Sequence, residues 1–373
     1  MRKPTAKARR RQKQRGRSEL RRKWRRRRLS KIPGGKERVI VLSGELDLVE
    51  NPFHTRSQLG KFAAINTPSF GGRKRRLFVD MLAVKEIDPC ALLYVVAQVD
   101  RIGTGLHWRV HGNFPVSPAA QKVLHDARFD EVFHARRIKR ARGPASLKLS
   151  FKPVTRKLNP EDWMPLHDFL RVNGHLTDDE TDEVYNAFGE CVENVRQHAY
   201  PNTKGGKWYA LAMRPSSTKP ARAVVIDLGM GIARTIRRTR TDLMLQWMRN
   251  VFSEAIKAAV RVFGESADDT ALARAVDRLG RDDWTCLFFA TQGLRTRSSD
   301  KQRGTGLNGL RQAVLKMHRG ALHVLSGEAA ITWRGGVDPS HGSLPYFYGT
   351  TVCLEFGGSY DDSGDSGGDN NET

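Results

Sequence analysis

"DEVYNAFGECVENVRQHAYP", residues 182–201, decides how the second half of this chain is read. Wound as a helix, at about 100° per residue, it shows two stripes. Val184, Phe188, Cys191, Val192, Val195 and Ala199 form an apolar face, and Glu183, Glu190, Asn194 and Gln197 fall opposite. Glu190, Asn194 and His198 recur at intervals of four. Thr177-x-x-Glu180 has the form of a capping box and marks the start. Pro201 cannot continue a helix and marks the stop. Such a polar stripe either meets water or lines a cleft, and the surrounding motifs must decide which.

Downstream, "KWYALAM" (207–213) and "ARAVVID" (221–227) read as strands, followed by a helical region from Ile232 to Ala290. A glycine-rich loop at 304–309 opens a helix through Met317. Strands follow at "ALHVLS" (321–326), "AAITW" (329–333) and "TTVCLEF" (350–356). This order predicts helices segregated on one face of a mixed sheet. Three features carry chemistry. Asp227 ends a strand and runs into Gly229 and Gly231, a turn where backbone can approach a ligand closely. "RGTGLNGL" (303–310) offers backbone N–H groups at a helix start, which suit phosphates. Gly349-Thr350 opens a late strand. Arg234, Arg237, Arg238 and Arg240 follow the first glycine turn and either reach phosphates or form a solvated helix face.

Upstream, "ERVIVLSG" (37–44), "RRLFVDMLAV" (75–84) and "HWRVHGN" (107–113) read as strands. "NPFHTRSQLGKFAAI" (51–65), "DPCALLYVVAQVDRI" (88–102) and "SPAAQKVLHDARF" (117–129) read as helices. The last two have Asp88 and Ser117 as caps, each with proline at the first helical position. The alternation predicts a small α/β layer domain. The fold class expected is therefore α/β in the wider α+β sense. The division expected is a basic tail (1–35), an α/β domain (36–133), a linker (134–150), a second domain (151–358) and an acidic tail (359–373).

Charge is unevenly placed. The chain carries +24, and residues 1–31 hold 17 Lys or Arg against the single acid Glu19, leaving only +8 on the other 342 residues. That arm has too few apolar residues to offset its ordering entropy, so its composition predicts disorder. An arginine-rich arm suits nucleic acid or another polyanion through phosphate neutralisation. Trp24 is its only base-stacking side chain. Cys90, Cys191, Cys286 and Cys353 form no Cys-x-x-Cys pair, which argues against a zinc site or disulfide framework and suits a reducing cytoplasm. No apolar run is long enough for a membrane span, and no apolar core follows the basic start as in a signal peptide.

E-x-x-x-N on a helix, D-x-G-x-G after a strand, G-T-G-L opening a helix and G-T-x-V on a late strand form an uncommon joint pattern. Together, over about residues 165–357, they resemble the ATP-binding (Bergerat) domain of the GHKL superfamily: gyrase, the heat-shock chaperone, histidine kinases and mismatch-repair ATPases. The local likeness is to anti-sigma-factor serine kinases, whose helix typically reads E-x-x-x-N-A-x-x-H-A-Y; here it reads "ECVENVRQHAY". The resemblance implies an α/β sandwich binding ATP with Mg²⁺, and an ATP-dependent dimer. It implies Asn194 as the Mg²⁺ ligand and Glu190 as general base toward water or a protein hydroxyl. Asp227 would accept from the adenine amino group, with Gly229 and Gly231 closing on the nucleotide. Gly304, Thr305, Gly306 and Leu307 would cradle phosphates, and Thr350 would support adenine through water. His198 reads as a structural histidine. Asn308 interrupts the commoner G-x-G-L-G-L spelling, and 241–292 looks like an insertion forming a lid or partner surface.

"LFVDMLAVKEIDPCALLYVVAQVDRI" resembles the centre of STAS domains, the antagonists that such kinases phosphorylate. Where that family presents Asp-Ser-Ser, this chain has Asp88-Pro89-Cys90, with no acceptor hydroxyl, which implies a protein-interaction or regulatory module. Three functions remain open at this level. One is an ATP-driven switch with hydrolysis. Another is a serine/threonine kinase acting on a separate STAS-type partner. The third is a non-catalytic, nucleotide-sensing module that binds nucleic acid. No dimerisation helix with a phosphoacceptor histidine is found, which disfavours a histidine kinase.

Overall fold

The computed structural model describes residues 37–66, 75–129, 150–153, 160–174, 176–194, 199–200, 207–216, 219–239, 282–291, 306–317, 320–334 and 337–357. The basic arm, the linker at 134–149, residues 240–281 and the acidic tail lie outside them, as do Gly304, Thr305 and His198; of Asn194 only the backbone is described. The described chain is α+β, with one parallel and one antiparallel sheet. None of its helices is long and apolar enough to cross a membrane.

The first sheet holds β1 (Glu37–Leu46), β2 (Arg76–Ile87) and β3 (Arg109–Asn113), parallel and in that order. Parallel neighbours need crossovers, and α1 (Pro52–Leu59) and α2 (Pro89–Asp100) lie in those connections, with α3 (Pro118–Asp126) after β3. Asp88 caps α2 as the sequence predicts, its carboxylate accepting from Ala91 N–H at 2.7 Å and Cys90 N–H at 3.2 Å. Ser117 does not cap α3: its side chain makes no cap hydrogen bond, so Pro118 with its fixed φ is the local start signal.

The second half runs β4 (Ser150–Pro153), α4 (Pro160–Gly174), α5 (Asp178–Asn194), β5 (Lys207–Met213), β6 (Ala221–Asp227), α6 (Ile232–Thr239), α7 (Asp283–Thr291), α8 (Gly306–Lys316), β7 (Ala321–Arg334) and β8 (Val337–Phe356). The sheet order is β4-β5-β6-β8-β7. The expected mixed sheet is corrected here: each pairing is antiparallel. The reason is that β7 turns back directly into β8 as a hairpin, which inserts β8 beside β6 antiparallel to both neighbours. The two strands expected at 321–326 and 329–333 are one, because Gly327, at φ +61, absorbs a bulge where the sequence reads a break.

Both faces of this sheet are covered. Trp208, Ala210 and Ala212 of β5 join the cluster under α4, α5 and α8, with Leu170, Val184, Phe188, Leu310 and Val314. The alternate residues Tyr209, Leu211 and Met213 belong to a second cluster, shared with Leu92, Leu93, Tyr94, Val95 and Val96 of α2. Pro89 through Val99 are all buried, because α2 lies between the two sheets. A helix apolar all round must be enclosed in this way. Burying Leu92, Leu93, Val95, Val96 and Val99 contributes on the order of 10 kcal/mol before ordering entropy. Polar ties reinforce the junction. Arg56 of α1 donates to the carbonyls of Gly327 (3.1 Å), Ala329 (2.8 Å) and Pro345 (3.3 Å) on the β7–β8 hairpin. Arg222 of β6 meets Asp88 at 2.9 Å, Glu355 at 2.9 Å and Asp47 at 3.4 Å.

Candidate functional site

β6 is buried along its whole length and delivers Asp227 to the end of the sheet, in register with Thr350 of β8. The Asp227 carboxylate accepts from Gly229 N–H at 2.7 Å and from the hydroxyl and backbone N–H of Thr350. Burial pushes its pKa up to about 7, against the downward pull of those three bonds. No cation pairs with it among the described residues. A carboxyl held so far from its ordinary value, in a glycine turn, is a candidate for a functional group.

Three chain segments converge on that turn, which is why it is glycine-rich. A side chain at Gly229 would collide with the carbonyl oxygen of Ala199 and come within 2.6 Å of its Cβ. Gly349, at φ +82, leaves no room for a Cβ beside the carbonyl of Asp227. Gly231 adopts φ +79 beside Ser326. The convergence is fastened by residues the sequence did not single out. Ser326 Oγ accepts the Ile232 N–H at 2.8 Å and donates to the Gly349 carbonyl at 3.2 Å. Tyr200 Oη accepts from Leu228 N–H at 2.9 Å and donates to the Lys207 carbonyl at 2.9 Å. The Ala199 carbonyl takes the Met230 N–H at 2.9 Å. Tyr200 is the last letter of the helix motif, where the sequence gives it no role of its own; Ser326, the end of an ordinary strand, carries no sequence signal.

α5 begins at the predicted capping box: Thr177 N–H donates to Glu180 at 2.8 Å, and Glu180 N–H to Thr177 Oγ1 at 3.3 Å. The Thr177 backbone and hydroxyl bonds hold the Glu180 carboxyl below its ordinary value. Val184, Phe188, Cys191 and Val192 are buried as expected, and Glu190 is half-buried on the helix flank. Gly306, the first residue of α8, rests directly on it: an added Cβ would lie 2.8 Å from Glu190 Cβ and 3.0 Å from the Cys191 nitrogen. Leu307 packs its side chain against the core under α5, so any contact to phosphate falls to its backbone.

The fold thus brings together Asp227, Gly229, Gly231 and Thr350 in one cluster against Ala199 and Tyr200, and Glu190 with Gly306 in another on the C-terminal part of α5. Gly304, Thr305 and the Asn194 side chain fall outside the described residues. No group of three or more His, Cys, Asp or Glu is arranged to hold a metal among the described residues. A Mg²⁺ carried in with phosphates needs no such group, since it keeps several waters and takes one or two protein oxygens, a place the resemblance gives to Asn194. Acceptor, glycine cradle and oxygen donors fit a nucleotide in chemical type. In comparison with known proteins, no family model matches the chain, and no curated protein or solved structure is detectably similar to it.

Proposed function

We propose that this chain is an ATP-binding protein of the GHKL type, using Mg-ATP binding and slow hydrolysis as a regulatory switch. The observation that carries the reading is Asp227: a buried carboxyl raised to about 7, with no cation beside it among the described residues, framed by two glycines and Thr350 at the end of a central strand. In this reading Asp227 accepts from the adenine amino group, and Thr350 fixes the carboxylate. Gly229, Gly231 and Gly349 let backbone close on the base. Gly304, Thr305, Gly306 and Leu307 offer backbone N–H groups to phosphates. Asn194 supplies an oxygen to Mg²⁺, which neutralises phosphate charge when bound. Glu190 takes the proton of the attacking nucleophile, water in the switch reading. The arm at 1–31 binds nucleic acid or another polyanion, and the N-terminal unit serves partner recognition in a cytoplasmic protein.

A second reading shares every residue and changes only the nucleophile: a kinase acting on a serine or threonine of a partner. One observation shapes it. Cys90, at the position of the STAS acceptor, is fully buried under the antiparallel sheet beside Cys353. The Cys90 position is therefore no acceptor, and in this reading the substrate is a separate STAS-type partner.

Purified protein with ATP and Mg²⁺ tests the proposal by phosphate release and by calorimetric binding. Asn194→Ala loses Mg²⁺-dependent ATP affinity by at least about tenfold, whereas Glu190→Ala keeps affinity and loses turnover by about 100-fold or more, the usual scale of a general base. Equal binding by wild type and Asn194→Ala would sink the site. Binding without turnover, lost in the same variant, would favour the kinase.

A further inference from the structure

The parallel sheet begins with arginine at one end. Register places Glu37 beside Arg76 and Arg76 beside Arg109, at the starts of all three strands. Arg38, Arg75, Arg76 and Arg109 are all exposed. Like charges directly opposite on adjacent strands, about 5 Å apart, destabilise a sheet. The one acid of that row, Glu37, is engaged with His111 at 2.9 Å. Stability alone gives no reason for this arrangement.

Two of the arginines are also held in place. Arg38 and Arg75 lie over the ring of Trp108, at 5.9 and 5.6 Å from its centroid. Arg38 donates to the Ala64 carbonyl at 3.1 Å, and the Arg75 carbonyl accepts Arg109 N–H at 2.8 Å. Side chains ordered in advance lose less entropy on binding a ligand. The basic arm joins β1 at this same end, since only five residues separate Lys31 from Glu37.

We infer that the N-terminal end of the parallel sheet is a platform for the phosphate backbone of double-helical nucleic acid. The choice of duplex follows from the side chains. Trp108 is only 4% exposed and is occupied in holding arginines, so it offers no face to an unstacked base. All four platform residues and 12 of the arm's 17 basic residues are arginine, the fork-shaped donor suited to phosphate. The attachment of the basic arm at this end adds to the case, and the platform is tested apart from it.

The test is fluorescence anisotropy of a labelled mixed-sequence duplex DNA with the full chain across a salt series. Arg75→Ala/Arg76→Ala/Arg109→Ala weakens binding about tenfold or more near 0.15 M salt and lowers the slope of log affinity against log salt by roughly 2 to 3. The corresponding triple Lys variant keeps the slope. Lys85→Ala/Lys122→Ala/Arg171→Ala, which removes three exposed charges elsewhere, has a much smaller effect. A platform variant no weaker than that control would overturn the inference. So would loss of binding to phosphatidylserine vesicles with duplex binding intact, which would assign the surface to a membrane. An arm variant, Arg25→Ala/Arg26→Ala/Arg27→Ala/Arg28→Ala, separates the two ideas. If it binds normally while the platform variant fails, the platform stands and the arm reading falls; if wild type binds no duplex, both fall.

Discussion

Asp227 carries the largest burden at the scale of single residues. Its carboxyl ionises near the ordinary value of 3.8 in the unfolded chain but near 7 in the native one. The native state therefore binds the extra proton between those values, and stability from this group is present below about pH 4 and lost as pH rises through about 7. Asp88, also raised to about 7 by burial and by Asp47, has the same sign but is partly compensated by Arg222. Asp227→Asn should flatten, though not abolish, the fall in urea midpoint between pH 4 and 7, and should weaken ATP at least about tenfold, since one of two acceptor oxygens is gone. An unchanged pH profile would show that the carboxyl is not titrating there.

Between elements, the decisive contact is the seat of α8 on α5. Intrinsic propensity favours alanine over glycine in a helix by about 1 kcal/mol, so Gly306→Ala would stabilise an isolated α8. The contact at 2.8 Å to Glu190 Cβ reverses that sign. The expected result is a lower thermal midpoint and about tenfold or greater loss of ATP turnover, because α8 must shift away from Glu190. Gly309→Ala, whose Cβ would stand 3.3 Å from Ala187 Cβ, serves as the milder comparison, with a change within about 1 kcal/mol. Differential scanning calorimetry and phosphate release check the pair. At this scale the sequence was most legible: β5 and β6 have the bounds read for them as strands, and the Thr177 capping box forms. It failed at Ser326–Gly327, where a glycine reads locally as a turn but is held in a continuous strand by the Asp283 carboxylate, which receives Glu328 N–H at 2.8 Å.

Across the whole molecule, the two halves share one apolar cluster and one buried charge network. Burial opposes the charge of Arg222, but Asp88 and Asp47 together outweigh it and raise its pKa. Removing the guanidinium leaves Asp88 and Glu355 buried without their cation. Arg222→Met should cost about 3–5 kcal/mol at pH 7 in urea denaturation. Wild type should unfold in one transition rather than two, because separating the sheets would expose the apolar face of α2 that packs on the antiparallel sheet. Two resolved transitions would contradict a shared core. β8 connects this junction with the candidate site, carrying Thr350 toward Asp227 and, a few residues on, Cys353 toward Cys90 and Glu355 toward Arg222.

By itself the sequence determined the local elements: the strands β5 and β6, the Asp88 and Thr177 starts, and the glycines at positions where a Cβ would collide. Those features depend on neighbours a few residues away, so they can be read along the chain. Only the tertiary structure decided that α2 is enclosed between two sheets, that Arg56 reaches carbonyls more than 270 residues away on β7, and that Ser326 and Tyr200 fasten the Asp227 turn. The all-round apolar character of α2 hinted at enclosure, but not at what encloses it. Pairing across such separations is settled by which surfaces exclude water together and which buried donors find acceptors, and neither leaves a periodic mark in the sequence.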